Sequence, residues 1–155
     1  MIKNDRDYHP TMSDDAGNID LLFFNSKIRS YIIPRLSEIL EGHRIGTWDV
    51  TAMEIIYEYP GCNIKEICMR IGADKGRMTL LIRKLLENGL VENRSSGKSY
   101  SLYLTPLGND EFLFAKRNLN LLNGELKSKL TSKQIQTLDK LLTKIIEISD
   151  EGYRY

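Results

Sequence analysis

Apolar residues recur every three or four positions at Leu21, Phe24, Ile28, Ile32, Leu36 and Ile39, a spacing that predicts a helix over about 19–40. Pro34 lies inside it and is expected to kink or split the helix, because it removes one backbone hydrogen bond. Residues 41–46 read as a connector. Thr47 is the expected N-cap of a second helix running to about Tyr59, with Val50, Met53, Ile56 and Tyr57 as its inward stripe and Pro60-Gly61 as its stop. Asn63 and Glu66 have the spacing of a capping box and open a third helix, whose inward face holds Ile64, Ile67, Cys68 and Ile71. Gly72 supplies a turn. Asp74 caps a fourth helix that continues to Asn88, and Gly89 stands where a helix end needs a left-handed residue.

Beyond Gly89 the period changes from helical to alternating. Residues 90–94 and 99–104 read as two short strands joined by Ser95, Ser96, Gly97 and Lys98, with Leu102 and Leu104 facing inward and Ser101 and Tyr103 outward. Thr105-Pro106 then opens a long helix carrying Leu119, Leu122, Leu126 and Leu130. Thr131 and Gln134 form a last capping box, before a helix with Ile135, Leu138, Leu142 and Ile145 in a stripe that Leu141 and Ile148 widen. Helix, turn, helix and hairpin in this order make a winged helix-turn-helix, which can set one helix in a DNA major groove.

Charge sharpens that reading. Residues 63–108 carry eight positive and four negative side chains, a net of +4, whereas the whole chain is only +1. Positive charge is gathered where a phosphate backbone would lie. With Met78, Leu81, Ile82 and Leu85 buried, the opposite face of the fourth helix presents Gly76, Leu80 and Arg83, with Thr79 and Arg77 at its margins, Lys84 beside Arg77 and Lys75 in the first turn. Arg83 can donate two hydrogen bonds to a guanine, Thr79 can bond a base edge or phosphate, and Leu80 can pack on a thymine methyl. Gly76 lets the backbone approach closely. Arg94 and Lys98 flank the hairpin tip, from which a cation can reach the minor groove. A solvated basic helix face beside an ordinary surface hairpin accounts for the same residues.

The 155 residues fit a single domain, 1–155, with 41% hydrophobic and 28% charged content, ordinary for a globular protein. Residues 1–17 read as a polar, loosely attached extension without a signal sequence, and no apolar run is long enough to span a bilayer, so a cytoplasmic location without membrane contact is the default expectation. Two cysteines and two histidines supply neither a metal-ligand set nor a recognisable catalytic motif, so no enzyme activity, cofactor or metal is expected. Cys68 reads as a core residue, whereas Cys62, beside Gly61 at the mouth of the third helix, is expected to be partly exposed. The fold class is mainly α with a small β-hairpin wing (α+β), a winged helix-turn-helix over 47–105 flanked by long helices over 18–40 and 106–150. Those helices bury their apolar stripes either within one subunit or in a two-fold dimer.

The stretches NIKEICMRIGADKGRMTLLIRKLLENGLVEN (63–93) and SLYLTPLG (101–108) resemble the helix-turn-helix and the Leu-Thr-Pro-x-Gly helix entry of the MarR family of bacterial and archaeal transcription regulators. Element order agrees over about 18–150. The resemblance implies an obligate homodimer whose dimerisation helices are 18–40 and 106–150. It implies binding to double-stranded DNA at a palindromic promoter site, usually as a repressor, with release by a small, often phenolic or anionic effector. Trp48, Tyr57 and Tyr31 are equally readable as lining an effector cleft or as core aromatics. The chain departs from the family at the wing tip, where Asp-x-Arg is usual and Ser96, Gly97 and Lys98 stand instead. Lys98 keeps the charge without the planar fork of arginine, so minor-groove reading is expected to weaken or to pass partly to Arg94. The DNA-contact set is therefore Lys75, Gly76, Arg77, Thr79, Leu80, Arg83, Lys84, Arg94 and Lys98. The alternative function is a winged-helix protein-interaction module with only non-specific DNA affinity.

Overall fold

A computed structural model describes residues 20–152; the expected extension over 1–17 lies outside the described residues. Six helices and one hairpin follow in the order α1 (Leu21–Ile39), α2 (Thr47–Glu58), α3 (Ile64–Ile71), α4 (Lys75–Glu87), β1 (Val91–Asn93), β2 (Leu102–Leu104), α5 (Pro106–Lys127) and α6 (Ser132–Gly152). This is the mainly helical winged fold that the periodicity predicts. No helix among the described residues is long and apolar enough to cross a membrane.

The chain divides between Tyr31 and Ile32 into two compact units. In the first, the Asp20 carboxylate accepts the Phe23 N–H at 2.9 Å and so caps α1. Phe23 and Phe24 meet edge to face, and Leu21, Leu22, Phe24 and Ile28 are exposed. Pro34 lies within a continuous α1 and does not split it. Leu36 and Leu40 beyond it are buried, which anchors the turns that follow the missing hydrogen bond.

The core of the second unit is built around α2, which packs on α3, α4, α5 and β2. Met53 and Ile56 from α2 meet Ile67, Ile82, Leu85, Leu90, Leu102 and Phe112 there, all almost fully buried. Two expectations for α2 need correction. Gly46, not Thr47, is the N-cap, because Asp49 accepts the Gly46 N–H at 2.7 Å and starts the helix one residue earlier. Tyr57 is exposed and not part of the buried stripe, its ring resting tilted against Phe112 at 5.1 Å. Two polar pairs and a ring stack add to the apolar packing that holds α5 to the rest of this unit. His43 Nδ1 meets Glu111 at 2.7 Å, the same imidazole stacks on Phe114, and Lys116 pairs with Glu54.

The capping boxes at Asn63/Glu66 and Thr131/Gln134 are both formed. Gly72 and Gly89 take the left-handed conformation, with φ of 63° and 67°. The hairpin is antiparallel, with Val91 opposite Leu104 and Asn93 opposite Leu102. Its strands are shorter than predicted, because the Asn93 side-chain oxygen accepts the N–H groups of Ser95 and Ser101 and takes over from the ladder at the wing's base. One cysteine expectation needs correction: Cys62 is buried and bridged to Leu102, while Cys68, half-buried, packs against the core as read. The α2–α3 turn joins the sheet edge, where Cys62 accepts the Leu102 N–H at 2.9 Å and Leu102 accepts the Gly61 N–H at 2.7 Å, and this draws Cys62 inward. Burial, followed by the negative charge of Glu66, pushes the Cys62 thiol above its usual range. Leu130 falls beyond the end of α5, and of the four leucines assigned to that helix only Leu122 is fully buried.

Candidate nucleic-acid interface

Three linked turns place α4. Gly72 ends α3 with its N–H on the Cys68 carbonyl, and the Asp74 carboxylate accepts the Arg77 N–H at 2.9 Å, starting α4 two residues later. Gly76 has a local reason to be glycine, since a Cβ there would stand 3.2 Å from the capping Asp74 oxygen. At the far end, Gly89 and Leu90 turn the chain directly into β1, which packs on α4.

The wing is tied to α5 by the Thr-Pro-Leu-Gly stretch. The Thr105 hydroxyl donates to the Gly89 carbonyl at 2.6 Å and accepts the Gly108 N–H at 3.0 Å, capping α5. The Leu90 carbonyl accepts the Thr105 N–H at 3.1 Å. Gly108 sits so close beneath Leu90 that a Cβ would lie 1.8 Å from that carbonyl oxygen. This packing accounts for the spacing of threonine and glycine.

On α4, Met78, Ile82 and Leu85 are buried and Leu81 is half-buried. The opposite side is open. Lys75, Gly76, Arg77 and Arg83 are exposed, as is Leu80 at 64%. Among the described residues, no carboxylate lies within ion-pair distance of Lys75, Arg77, Arg83 or Lys98. Thr79 is half-buried and its hydroxyl donates to the Lys75 carbonyl at 2.7 Å, leaving only acceptor capacity. Lys84 differs from the other cations, because its ammonium turns back to Asp49 at 2.7 Å. Sequence reasoning missed Asp49. It reads as an ordinary acidic residue in the first turn of a helix, and nothing local signals the lysine 35 positions away.

Arg94 and Lys98 occupy different settings on the wing. Period-two alternation puts Glu92 and Arg94 on one face, and the register sets Tyr103 opposite Glu92. Arg94 Nε donates to Glu92 at 2.7 Å, and the guanidinium lies 4.1 Å from the centre of the Tyr103 ring. Lys98 stands exposed at the tip. Elsewhere in this unit a cleft of about 590 Å³ opens where α1 ends, with Leu40 and Ile45 on its walls beside Glu38 and Glu41. Trp48 is exposed at 55% and is not a core aromatic.

The sequence profile of the MarR family matches residues 49–98, from the first turn of α2 to the wing tip. No curated protein matches the chain. Among solved structures, a MarR transcriptional regulator from Methanosarcina mazei is 22% identical, with a TM-score of 0.75 over 86% of this chain and 93% of its own. A SlyA-like transcription regulator from Listeria monocytogenes is 18% identical, with a TM-score of 0.81 over 88% of this chain and 93% of its own. A Mycobacterium tuberculosis MarR-family protein, solved in complex with DNA, is 17% identical, with a TM-score of 0.64 over 83% of this chain and 98% of its own. That mycobacterial protein has also been solved with salicylic acid. The MarR-family sequence profile thus lies on the helix-turn-helix and wing of this chain, and the fold of these regulators extends over most of its length.

Proposed function

We propose that the protein is a homodimeric, sequence-specific DNA-binding transcription regulator that represses from a palindromic promoter site and is released by a small-molecule effector. The observation that carries this reading is the set of cations on the α4 face and wing that meet no carboxylate among the described residues, on a chain whose total charge is only +1. Lys75, Arg77 and Lys98 contact phosphates. Arg83 and Leu80 read base edges, with Gly76 allowing close approach and Thr79 accepting a hydrogen bond. Arg94 lies along the minor groove, already extended by Glu92 and Tyr103.

Exposed apolar side chains on the terminal helices support the dimer. Leu121 on α5 and Leu141, Ile146 and Ile148 on α6 are each more than half exposed, an arrangement that a helix in water seldom keeps without a partner. Residues 18–40 and 106–150 supply the two-fold interface in this reading, and 47–105 the DNA-binding lobe. Salicylic acid on the mycobacterial relative supports an anionic aromatic ligand, but Glu38 and Glu41 at the cleft beside α1 oppose a carboxylate there.

Selection of bound duplexes from a random pool at near-physiological salt tests the reading. Enrichment of a palindrome with half-sites about one helical turn apart is expected. A folded dimer that enriches nothing would favour a winged-helix module that binds an acidic protein surface.

A further inference from the structure

We infer that Asp49 and Lys84 form a clamp that sets the placement of α4, so that Lys84 serves DNA reading as a positioning residue and not as a phosphate contact. The inference rests on the reading of α4 as the DNA-reading helix. Asp49 is the one buried charged side chain among the described residues, at 2% exposure. A carboxylate withdrawn from water that far requires a partner. Its Oδ2 has two, the Gly46 N–H at 2.7 Å and the Lys84 ammonium at 2.7 Å. The first bond and the positive end of α2 hold the carboxylate in place on α2. α4 must therefore bring Lys84 to a fixed point.

Apolar packing of Met78, Ile82 and Leu85 is not directional, and by itself leaves α4 some freedom to slide and roll. The Asp49–Lys84 bond is directional and sits in the last two turns of the helix, at the margin of its buried face. Arg83 precedes Lys84 and lies about 100° further round. Fixing Lys84 thus fixes where Arg83 and, one turn earlier, Leu80 point outward. Hydrogen bonds to base edges depend on that aim more than contacts to phosphates do. The lysine stem is half exposed, which is why the sequence pattern places it with the outward cations, yet its charge is directed inward.

The test compares wild type, K84M, D49N and the D49N/K84M double variant as full-length protein. Affinity for the selected duplex and for random duplex is measured across salt, with hydrogen exchange of the α4 amides in the free protein and a melting curve for each variant. K84M should weaken the selected duplex by roughly tenfold, the size of coupling that contacting residues show. Its salt slope should stay at the wild-type value, and its α4 amides should exchange faster. In the double variant no buried charge is left unpaired, and an asparagine oxygen still accepts the Gly46 N–H. Affinity and exchange should therefore return most of the way. A double variant as weak as K84M, with the salt slope lowered by about 0.9, would make Lys84 a phosphate contact and overturn the clamp. K84M indistinguishable from wild type in both affinity and exchange would overturn it as well. Should the wild type prefer no duplex, the DNA-reading proposal falls, and the exchange data alone decide the clamp: unchanged α4 exchange in K84M refutes it.

Discussion

Replacing Gly108 by alanine tests the packing that sets the wing against α5. In an ordinary helix this change gains up to about 1 kcal/mol, from lower backbone entropy and better propensity. Here the added Cβ would lie 1.8 Å from the Leu90 oxygen, 2.7 Å from its carbonyl carbon and 3.1 Å from its Cα. All three are backbone atoms, so no side chain can rotate away. Leu90 is fully buried and its carbonyl is held by the Thr105 N–H. Relief must come from α5 lifting by more than an ångström, which opens that hydrogen bond and the Thr105 cap together. Overpacking in a tight core costs about 1–3 kcal/mol. The lost hydrogen bond and the weakened cap each add about 1 kcal/mol. After the propensity gain, a net loss of roughly 2–4 kcal/mol remains, or a fall in Tm of about 5–15 °C for a chain this size. Gly124, also inside α5, is the control, since nothing lies within 4 Å of a Cβ there. Gly124→Ala should raise stability by about 0.5–1 kcal/mol. The assay is thermal and urea unfolding followed by circular dichroism at one protein concentration. A Gly108→Ala protein as stable as wild type would refute the close-approach argument.

Three further outcomes are expected. Arg83→Ala should weaken specific binding by roughly 1–3 kcal/mol and relax preference at one base position; equal loss on all sequences would make Arg83 a phosphate contact. Lys98→Ala should lower affinity at low salt and reduce the log–log salt slope by about 0.9, whereas an unchanged slope would remove the wing tip from the interface. Cys62 should react slowly with a thiol reagent in the native state, because burial and Glu66 raise its pKa and leave less thiolate. For the same reason the unfolded chain ionises that thiol first. Stability contributed by the raised pKa is full below the ordinary thiol range and is lost as pH rises from there through the raised value, and Cys62→Ala should flatten that decline. Rapid native labelling of Cys62 at neutral pH would contradict its burial.

Much of this chain could be read without coordinates, because its local signals are strong and agree with one another. Asn63 with Glu66, Asp74, Thr105-Pro106 and Thr131 with Gln134 each satisfy backbone groups within four residues, so the helix starts they announce are where the structure has them. Gly72 and Gly89 mark left-handed turns for the same local reason. The buried stripe of α4 follows from its period alone, which also identifies its outward cations.

The misreadings arise where two distant segments decide. Cys62 is buried because the α2–α3 turn bonds to β2, 40 residues on, and no periodicity in either segment encodes that bridge. Asn93 shortens the wing by capturing N–H groups across the loop. Gly108 is demanded by a carbonyl 18 residues earlier, and only the fold shows why the helix entry needs it. Lys84 lies with the outward cations on a helical wheel, yet Asp49 turns its charge inward. A wheel gives the direction of a Cβ, and a four-carbon stem can end well away from that direction. Local signals were enough for most helix starts, the winged helix-turn-helix order and the basic face, because these depend on contacts within a few residues. Which cation of that face is paired, which cysteine is buried and which glycine cannot change were decided only by the tertiary structure, because each depends on a partner that chain folding brings from far along the sequence.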